Sequence, residues 1–238
     1  YASRQRELCI QGDKSNVENY RPISLTCLVM KVFERIVKEK LLSLTAHLLD
    51  PRQHGFLEQK SCTTNMIVYC DSLALSLNDN VLNHVVYFDF AKAFDSVNHD
   101  ILLQKLKVCF GIDGALLKFL SNYLCDRNQK VVIGSESSST LKVHSGVPQG
   151  SILGPLLFVL FINDLPDGLS SDTEISLYAD DTKIWRKISS LSDCMSLQAD
   201  IDHLNSWAIK NKMKFHPSKC KVLPISLRPS HSLFLSFI

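Results

Sequence analysis

The chain has 238 residues, 45% hydrophobic and 21% charged, with a formal net charge of +2. That is the profile of a soluble globular protein able to bury a large core, as one domain or two tightly associated subdomains. The eight cysteines are scattered, with no CxxC pair and no Cys/His cluster at zinc-ligand spacing, which excludes a zinc module and reads as reduced thiols in an intracellular protein. No secretory leader is visible. The longest apolar run, Ile152 to Ile162, is too short to span a bilayer and contains Gly154 and Pro155, so no membrane partner is expected. The chain opens on Tyr1 rather than Met, and a piece of a longer protein is expected. From His203 onward there are six Lys or Arg and no Asp or Glu, whereas acids outnumber bases between Asp164 and Asp202. An acidic centre beside a basic flank suits metal ions that handle a polyanion; two ordinary solvated faces have the same composition.

In chain order, residues 1–19 are polar and weakly patterned, a lead-in or a broken first strand. Asn19-Tyr20-Arg21-Pro22 leads into a predicted amphipathic helix from about Ser24 to Leu49. Leu25, Leu28, Val29, Val32, Phe33, Ile36 and Val37 form its expected buried face, and Glu34 and Lys38 pair on its wet side. Asp50-Pro51 ends it. Gln53-His54-Gly55-Phe56 is a loop or short extended piece, and Ser61 to Asn78 is a second helix.

Val85-Val86-Tyr87-Phe88-Asp89-Phe90 is a short apolar strand with a carboxylate near its C-terminal end. By itself Asp89 suits the cap of a following helix. The chain then turns through Ala91 to Asp95 into a helix containing Ile101, Leu102 and Leu106, and Asp113 to Cys125 forms another. Strands are predicted at Lys130 to Ile133 and Thr140 to Val143. A Gly/Pro-rich loop, Ser145 to Pro155, runs into an apolar helix. Glu174 to Tyr178 and Thr182 to Trp185 alternate as the arms of a hairpin with Asp180 and Asp181 at or beside its tip. A helix from about Leu191 to Ile209 and a strand pair within Lys212 to Ile225, around Pro217, complete the order; Leu227 to Ile238 lacks periodicity.

Two adjacent carboxylates repel, and Asp is also a common turn residue, so the hairpin alone fits a polar turn equally well. Asp89 changes the balance. A strand acid beside a hairpin diacid is an all-oxygen set for two Mg²⁺ ions, which in phosphoryl transfer clamp the attacking and leaving oxygens.

Laid out in order, the chain resembles the reverse transcriptase domain of non-LTR (LINE-type) retrotransposons. The blocks that carry the likeness are Asn19-Tyr20-Arg21-Pro22-Ile23-Ser24-Leu25, Gln53 to Phe56, Phe88-Asp89-Phe90-Ala91-Lys92-Ala93-Phe94-Asp95, Gly146-Val147-Pro148-Gln149-Gly150 and Tyr178-Ala179-Asp180-Asp181. The resemblance covers about Gly12 to Ile225. It implies an α+β right-hand fold, fingers and palm, with an antiparallel palm sheet packed on helices and the thumb largely absent. Residues 15–80 and 115–143 are then fingers-like, 81–114 and 144–225 palm-like, and 226–238 an unassigned tail.

The same resemblance implies an RNA-directed DNA polymerase that extends a DNA primer on an RNA template with dNTPs and two Mg²⁺ ions, for which Mn²⁺ can substitute. Asp89, Asp180 and Asp181 would be its catalytic metal ligands, helped by the Phe90 carbonyl. Phe94 would lie under the sugar of the incoming nucleotide, and Gln149 and Gly150 beside nucleotide and template. Arg21, Lys60 and Lys219 would face the triphosphate, and Asp95 would cap or orient the next helix. A core aromatic at Phe94 and solvated surface cations at the three basic positions are the plain structural alternatives. The pattern departs from the family at Leu57-Glu58, where relatives carry a basic residue, before Gly12, and after Ile225. A decayed copy without activity, a group II intron reverse transcriptase and an RNA-dependent RNA polymerase are the competing readings.

Overall fold

The structure, a computed structural model, describes residues 2–9, 20–125, 127–133 and 136–227, with the side chains of residues 2–9, 20–22, 25 and 131–133 outside the description. It divides into two compact units: unit 1 comprises residues 1–49 and 94–161, and unit 2 comprises 50–93 and 162–238. Helices and two largely antiparallel sheets give the α+β class expected from the sequence.

Unit 1 opens with β1 (Ala2–Cys9) and β2 (Tyr20–Leu25), an antiparallel pair. Of the two readings of the opening residues, the strand holds, over Ala2–Cys9, and a second strand replaces the expected start of the first helix. Pro22 explains the second difference: it lacks an N–H and disfavours helical backbone in the residue before it, which an edge strand tolerates. The sheet continues through β4 (Asn128–Ile133) to β5 (Glu136–Ser137), with β6 (Leu141–Lys142) also on β4; only β1 and β4 run parallel.

Helix α1 (Leu28–Thr45) buries a face that, among the described residues, shares only Val37 with the one its apolar pattern indicates. Leu28, Val29, Val32, Phe33 and Ile36 are exposed, while Glu34, Val37, Leu41 and Thr45 are buried. The reason lies at α6 (Leu153–Ile162), a helix apolar on every side and buried on every side. The N–H groups at its start need acceptors. Glu34, fully buried, supplies them: Oε2 accepts from Ile152 N at 2.6 Å and Leu153 N at 3.4 Å, and Oε1 accepts from Tyr123 Oη at 3.0 Å. The expected surface pair with Lys38 is therefore overruled by a buried helix cap. In the same unit Asn98, not Asp95, caps α4 (His99–Val108) by accepting from Ile101 N at 3.1 Å. The remaining helix of this unit is α5 (Gly114–Cys125); α3 (Ala93–Ser96) is a single turn at the unit boundary.

Unit 2 is an antiparallel sheet ordered β7-β8-β3-β9, from β3 (Leu82–Phe88), β7 (Thr173–Tyr178), β8 (Asp181–Ile188) and β9 (Lys221–Ile225). On one face lies α2 (Cys62–Asn78), begun by a Ser61/Thr64 capping box and packed on this sheet. Tyr69 and Leu73 join Val85, Trp185 and Ile225, and Ser72 Oγ accepts from Trp185 Nε1 at 2.9 Å. Arg186 points to the opposite face and pairs with Asp193 of α7 (Leu191–Lys210) at 3.7 Å. The expected strand pair around Pro217 is one strand, β9, which lies on β3, plus an isolated bridge between Phe90 and Phe215. Among the described residues no helix is long and apolar enough to cross a membrane.

Glu34→Ala strands two backbone N–H groups and a tyrosine hydroxyl, so it should cost about 3 kcal/mol in a urea melt, whereas Val29→Ala should cost less than about 0.5 kcal/mol. A second expectation is pH dependence. Burial holds the imidazoles of His84 and His99 below the ordinary value of 6.5, opposed at His99 by a hydrogen bond to the Gly146 carbonyl. The unfolded chain therefore binds protons more readily at these positions. Their contribution is complete above pH 6.5 and is lost as pH falls from there through the lowered values, a loss that thermal melts across that range will show.

Candidate active site

Strand β3 ends at Phe88, and Asp89 is the next residue. Strands β7 and β8 are joined by only Ala179 and Asp180, with Tyr178 opposite Asp181. Ala179 carries φ 54°, a positive value at the first turn position that fits the twist of a two-residue hairpin but is unusual for a residue with a Cβ. Across β3 and β8, Phe88 pairs with Thr182. One register step further, Asp89 falls opposite Asp181.

Like charges facing each other across strands are destabilising, and the fold supplies cations. Backbone bonds zip residues 89–91 to 214–216: His216 N donates to the Asp89 carbonyl at 2.7 Å and Ala91 N to the Lys214 carbonyl at 2.8 Å. Phe90 stacks on Phe215 with ring centroids 4.4 Å apart. The turn that follows carries Lys219, whose Nζ lies 2.9 Å from Asp89 Oδ2. The contact is an ion pair without hydrogen-bond alignment, and that oxygen is buried without a hydrogen-bond partner among the described residues.

Lys183, two residues beyond Asp181 on the same strand face, is buried. Its Nζ donates to Asn65 Oδ1 at 2.7 Å and sits 4.3 Å from the centre of the Tyr69 ring, and burial lowers its pKa. Asp181 is raised above the usual carboxylate range, first by desolvation and then by the Asp89 charge, against the pull of Lys219 and Lys183. An open pocket of about 470 Å³ lies over this face, lined by Asp89, Asp181, Lys183 and Lys219 and walled by Met66, Tyr87 and Tyr178.

The other sequence-selected residues divide between the units. Asp180, on the hairpin turn, is half-buried in unit 2. Lys60, also in unit 2, donates from Nζ to the Pro51 carbonyl at 2.8 Å, within its own loop. In unit 1, Phe94 is half-buried, one face stacked on Phe158 with centroids 4.5 Å apart and planes 16° from parallel. Gln149 Nε2 donates to Asp95 Oδ1 at 3.0 Å, and the Gln149 carbonyl accepts from Ser24 N at 2.7 Å. Gly150 has φ 93°, and a Cβ there would meet the Ser24 carbonyl oxygen at 3.1 Å. Arg21 belongs to β2, and its side chain lies outside the described residues.

Residues 12–232 match the family model described as reverse transcriptase (RNA-dependent DNA polymerase). The chain belongs to the reverse transcriptase family.

The non-LTR resemblance is borne out by the relatives. The RNA-directed DNA polymerase from mobile element jockey of Drosophila melanogaster is 31% identical over 216 residues, 87% of this chain and 23% of that protein. The probable RNA-directed DNA polymerase from transposon BS of the same organism is 30% identical over 211 residues, 85% of this chain and 23% of that protein. The reverse transcriptase chain thus spans about a quarter of the length of the curated relatives it matches. Among solved structures, apo telomerase from Candida tropicalis, truncated from its C-terminal domain, aligns with all of this chain and 52% of that one, at a TM-score of 0.66 and 12% identity. Telomerase from Candida albicans, solved with a fragment of telomeric RNA, covers 97% of this chain and 42% of that one at a TM-score of 0.65 and 11% identity. At those identities the likeness is one of fold.

Within this reverse transcriptase, unit 2 gathers Asp89, Asp181 and Lys219. Among the described residues the acids do not close into a three-ligand cluster of His, Cys, Asp or Glu. The donor set nevertheless suits a hard divalent cation: it is all carboxylate oxygen, and one Asp89 oxygen is buried beside a cation without an aligned hydrogen bond. Sequence reasoning missed Lys183 and Asn65. The first was accessible from the two-residue strand period that places it on the face of Asp181; the second had no local signal.

If carboxylate crowding costs the free protein stability, Asp181→Asn should raise the thermal midpoint at neutral pH. The gain should fade as pH falls through the raised carboxylate pKa, where wild-type Asp181 takes up its proton. Lys219→Met should lower the midpoint. Calorimetry of both variants over an acid-to-neutral series reads the two effects.

Proposed function

We propose that this chain is the polymerase core of a LINE-type retroelement protein, an RNA-directed DNA polymerase that adds dNTPs to a primer 3′-hydroxyl on an RNA template. The observation that carries the reading is Asp89 falling one register step beyond the Phe88–Thr182 pair, opposite Asp181, on an antiparallel sheet in a chain of the reverse transcriptase family. The unit 2 sheet is the palm; residues 15–80 and 115–143 contribute fingers and 226–238 a tail of no assigned role.

Asp89, Asp180 and Asp181 hold divalent metal, with the Phe90 carbonyl as a further oxygen donor. A pair of Mg²⁺ ions, or Mn²⁺ in their place, supplies charge stabilisation at the attacking and leaving oxygens when bound. The chain's own part is to orient and neutralise. Lys219, mostly exposed and on a turn, is a mobile cation that pairs with Asp89 in the free protein and is available to the departing pyrophosphate. Gln149, held by Asp95, and Gly150, whose missing Cβ lets the loop pack against the Ser24 carbonyl, present a polar edge to nucleotide and template. Arg21 and Lys60 serve as lesser contacts to the triphosphate.

Phe94 governs the choice of sugar. Stacked on Phe158 through one face, it is a rigid ring whose clash with a 2′-hydroxyl discriminates against the wrong substrate without a new contact to the right one.

Primer extension by the purified chain on an RNA template tests the function. Wild type should extend with dNTPs and Mg²⁺, and Asp180→Asn should abolish extension while its melt stays unchanged; extension that survives the substitution would overturn the reading. Phe94→Ala should shift the ratio of specificity constants toward ribonucleotides by at least about tenfold, roughly 1.4 kcal/mol. A ring that only fills the core predicts lost stability with the ratio unmoved.

A further inference from the structure

The Gln53 to Phe56 block offers no group that the proposed chemistry uses, yet it is built against the turn that carries Asp180. Gln53 is 2% exposed. Its Oε1 accepts two backbone hydrogen bonds, from Gly55 N at 2.6 Å and from Ala179 N at 2.9 Å. Its Nε2 is buried with no hydrogen-bond partner among the described residues, so the side chain is held for its oxygen. The backbone on either side repeats the attachment. Gln53 forms a parallel bridge with Leu177, His54 N donates to the Leu177 carbonyl at 2.8 Å, and Leu177 N donates to the Arg52 carbonyl at 3.0 Å. This piece runs along the outer edge of β7.

Gly55 sets the distance. A Cβ there would collide with Ala179 N and lie 2.9 Å from Ala179 Cα, closer than real Cβ contacts come. Gly55 is absent from the positive-φ residues, so it is glycine for space and not for backbone conformation. Ala179, in contrast, is buried with φ 54°, a state that is unfavourable for a residue with a Cβ and persists only where its surroundings impose it. The two-residue hairpin calls for that backbone, and Gln53 and Gly55 pack against it from outside the turn.

We infer that Gln53 and Gly55 are positioning residues: together they latch the Ala179-Asp180 turn, and thereby hold the Asp180 and Asp181 carboxylates in register with Asp89. The inference rests on the metal-binding reading of those acids. It gives the block a task that needs an amide oxygen and a missing Cβ, not a charge.

Three variants of this chain test it, Gln53→Leu, Gln53→Glu and Gly55→Ala, each first checked by thermal melt. The readouts are amide hydrogen exchange at Ala179, compared with Ile184 in the middle of β8, and Mn²⁺ binding followed by electron paramagnetic resonance. Gln53→Leu and Gly55→Ala should speed exchange at Ala179 by at least about tenfold with Ile184 unchanged, and weaken Mn²⁺ binding by about tenfold or more. Gln53→Glu keeps an acceptor oxygen and should retain protection at Ala179. The latch is overturned if Gln53→Leu leaves Ala179 protected, if protection falls equally at Ala179 and Ile184, or if Gln53→Glu loses it as Gln53→Leu does. Wild-type protein that protects Ala179 but takes up no Mn²⁺ overturns the metal reading instead, and with it the purpose assigned to the latch.

Discussion

The repulsion between Asp89 and Asp181 is the constraint around which unit 2 is built. The register of β3 and β8 sets the two carboxylates opposite each other, an arrangement that relaxation of a free surface would disperse. Here it is over-determined. Seven consecutive residue pairs join the strands, and residues 89–91 are zipped to 214–216, so the backbone that carries both acids is fixed by hydrogen bonds. The fold answers with charge instead of distance, through Lys219 on an exposed turn and Lys183 buried under Tyr69.

The same logic of rigid backbone supporting awkward groups recurs in both units. In unit 2 the strained Ala179 turn is held by the Gln53 amide oxygen and the absent Cβ of Gly55. In unit 1 the Gly146–Gly150 loop is fixed from several directions: Gly146 N donates to the Val97 carbonyl, Val147 N to the Phe94 carbonyl, and the Gln149 side chain to Asp95. A Cβ at Gly146, where φ is 90°, would meet Asp95 Cα at 2.8 Å. These glycines stand where backbone passes close to backbone, and each such crossing fixes a residue of proposed function.

The element order was largely legible in the sequence, because period-two alternation in the hairpin and all-round apolarity in the Leu153–Ile162 helix are strong local signals. The failures are specific. The Leu28–Ile36 stripe pointed to the wrong buried face, because a hydrophobic pattern says nothing of the acceptor that the start of another helix requires. The Lys212–Ile225 segment was expected to pair with itself, but β3 offered its open edge to Lys221–Ile225 and the bridge to Phe215 fell at Phe90. Asp95 was expected to serve the following helix, but Asn98 stood closer to its first turn and left the Asp95 carboxylate to Gln149.

By itself the sequence determined the residue blocks, and their order, that match the reverse transcriptase family: three aspartates, an aromatic five residues after the first of them, and a Gln-Gly loop. Those identities are local, and a pattern of residue types can record them. Only the tertiary structure decided that Lys219 meets Asp89, that Lys183 lies buried beside Asn65, and that Gln53 holds the turn from 126 residues away. Each of those contacts joins segments far apart in the chain, and its geometry comes from strand register and backbone closure. Residue types vary independently of both, so no reading of spacing or composition contains them.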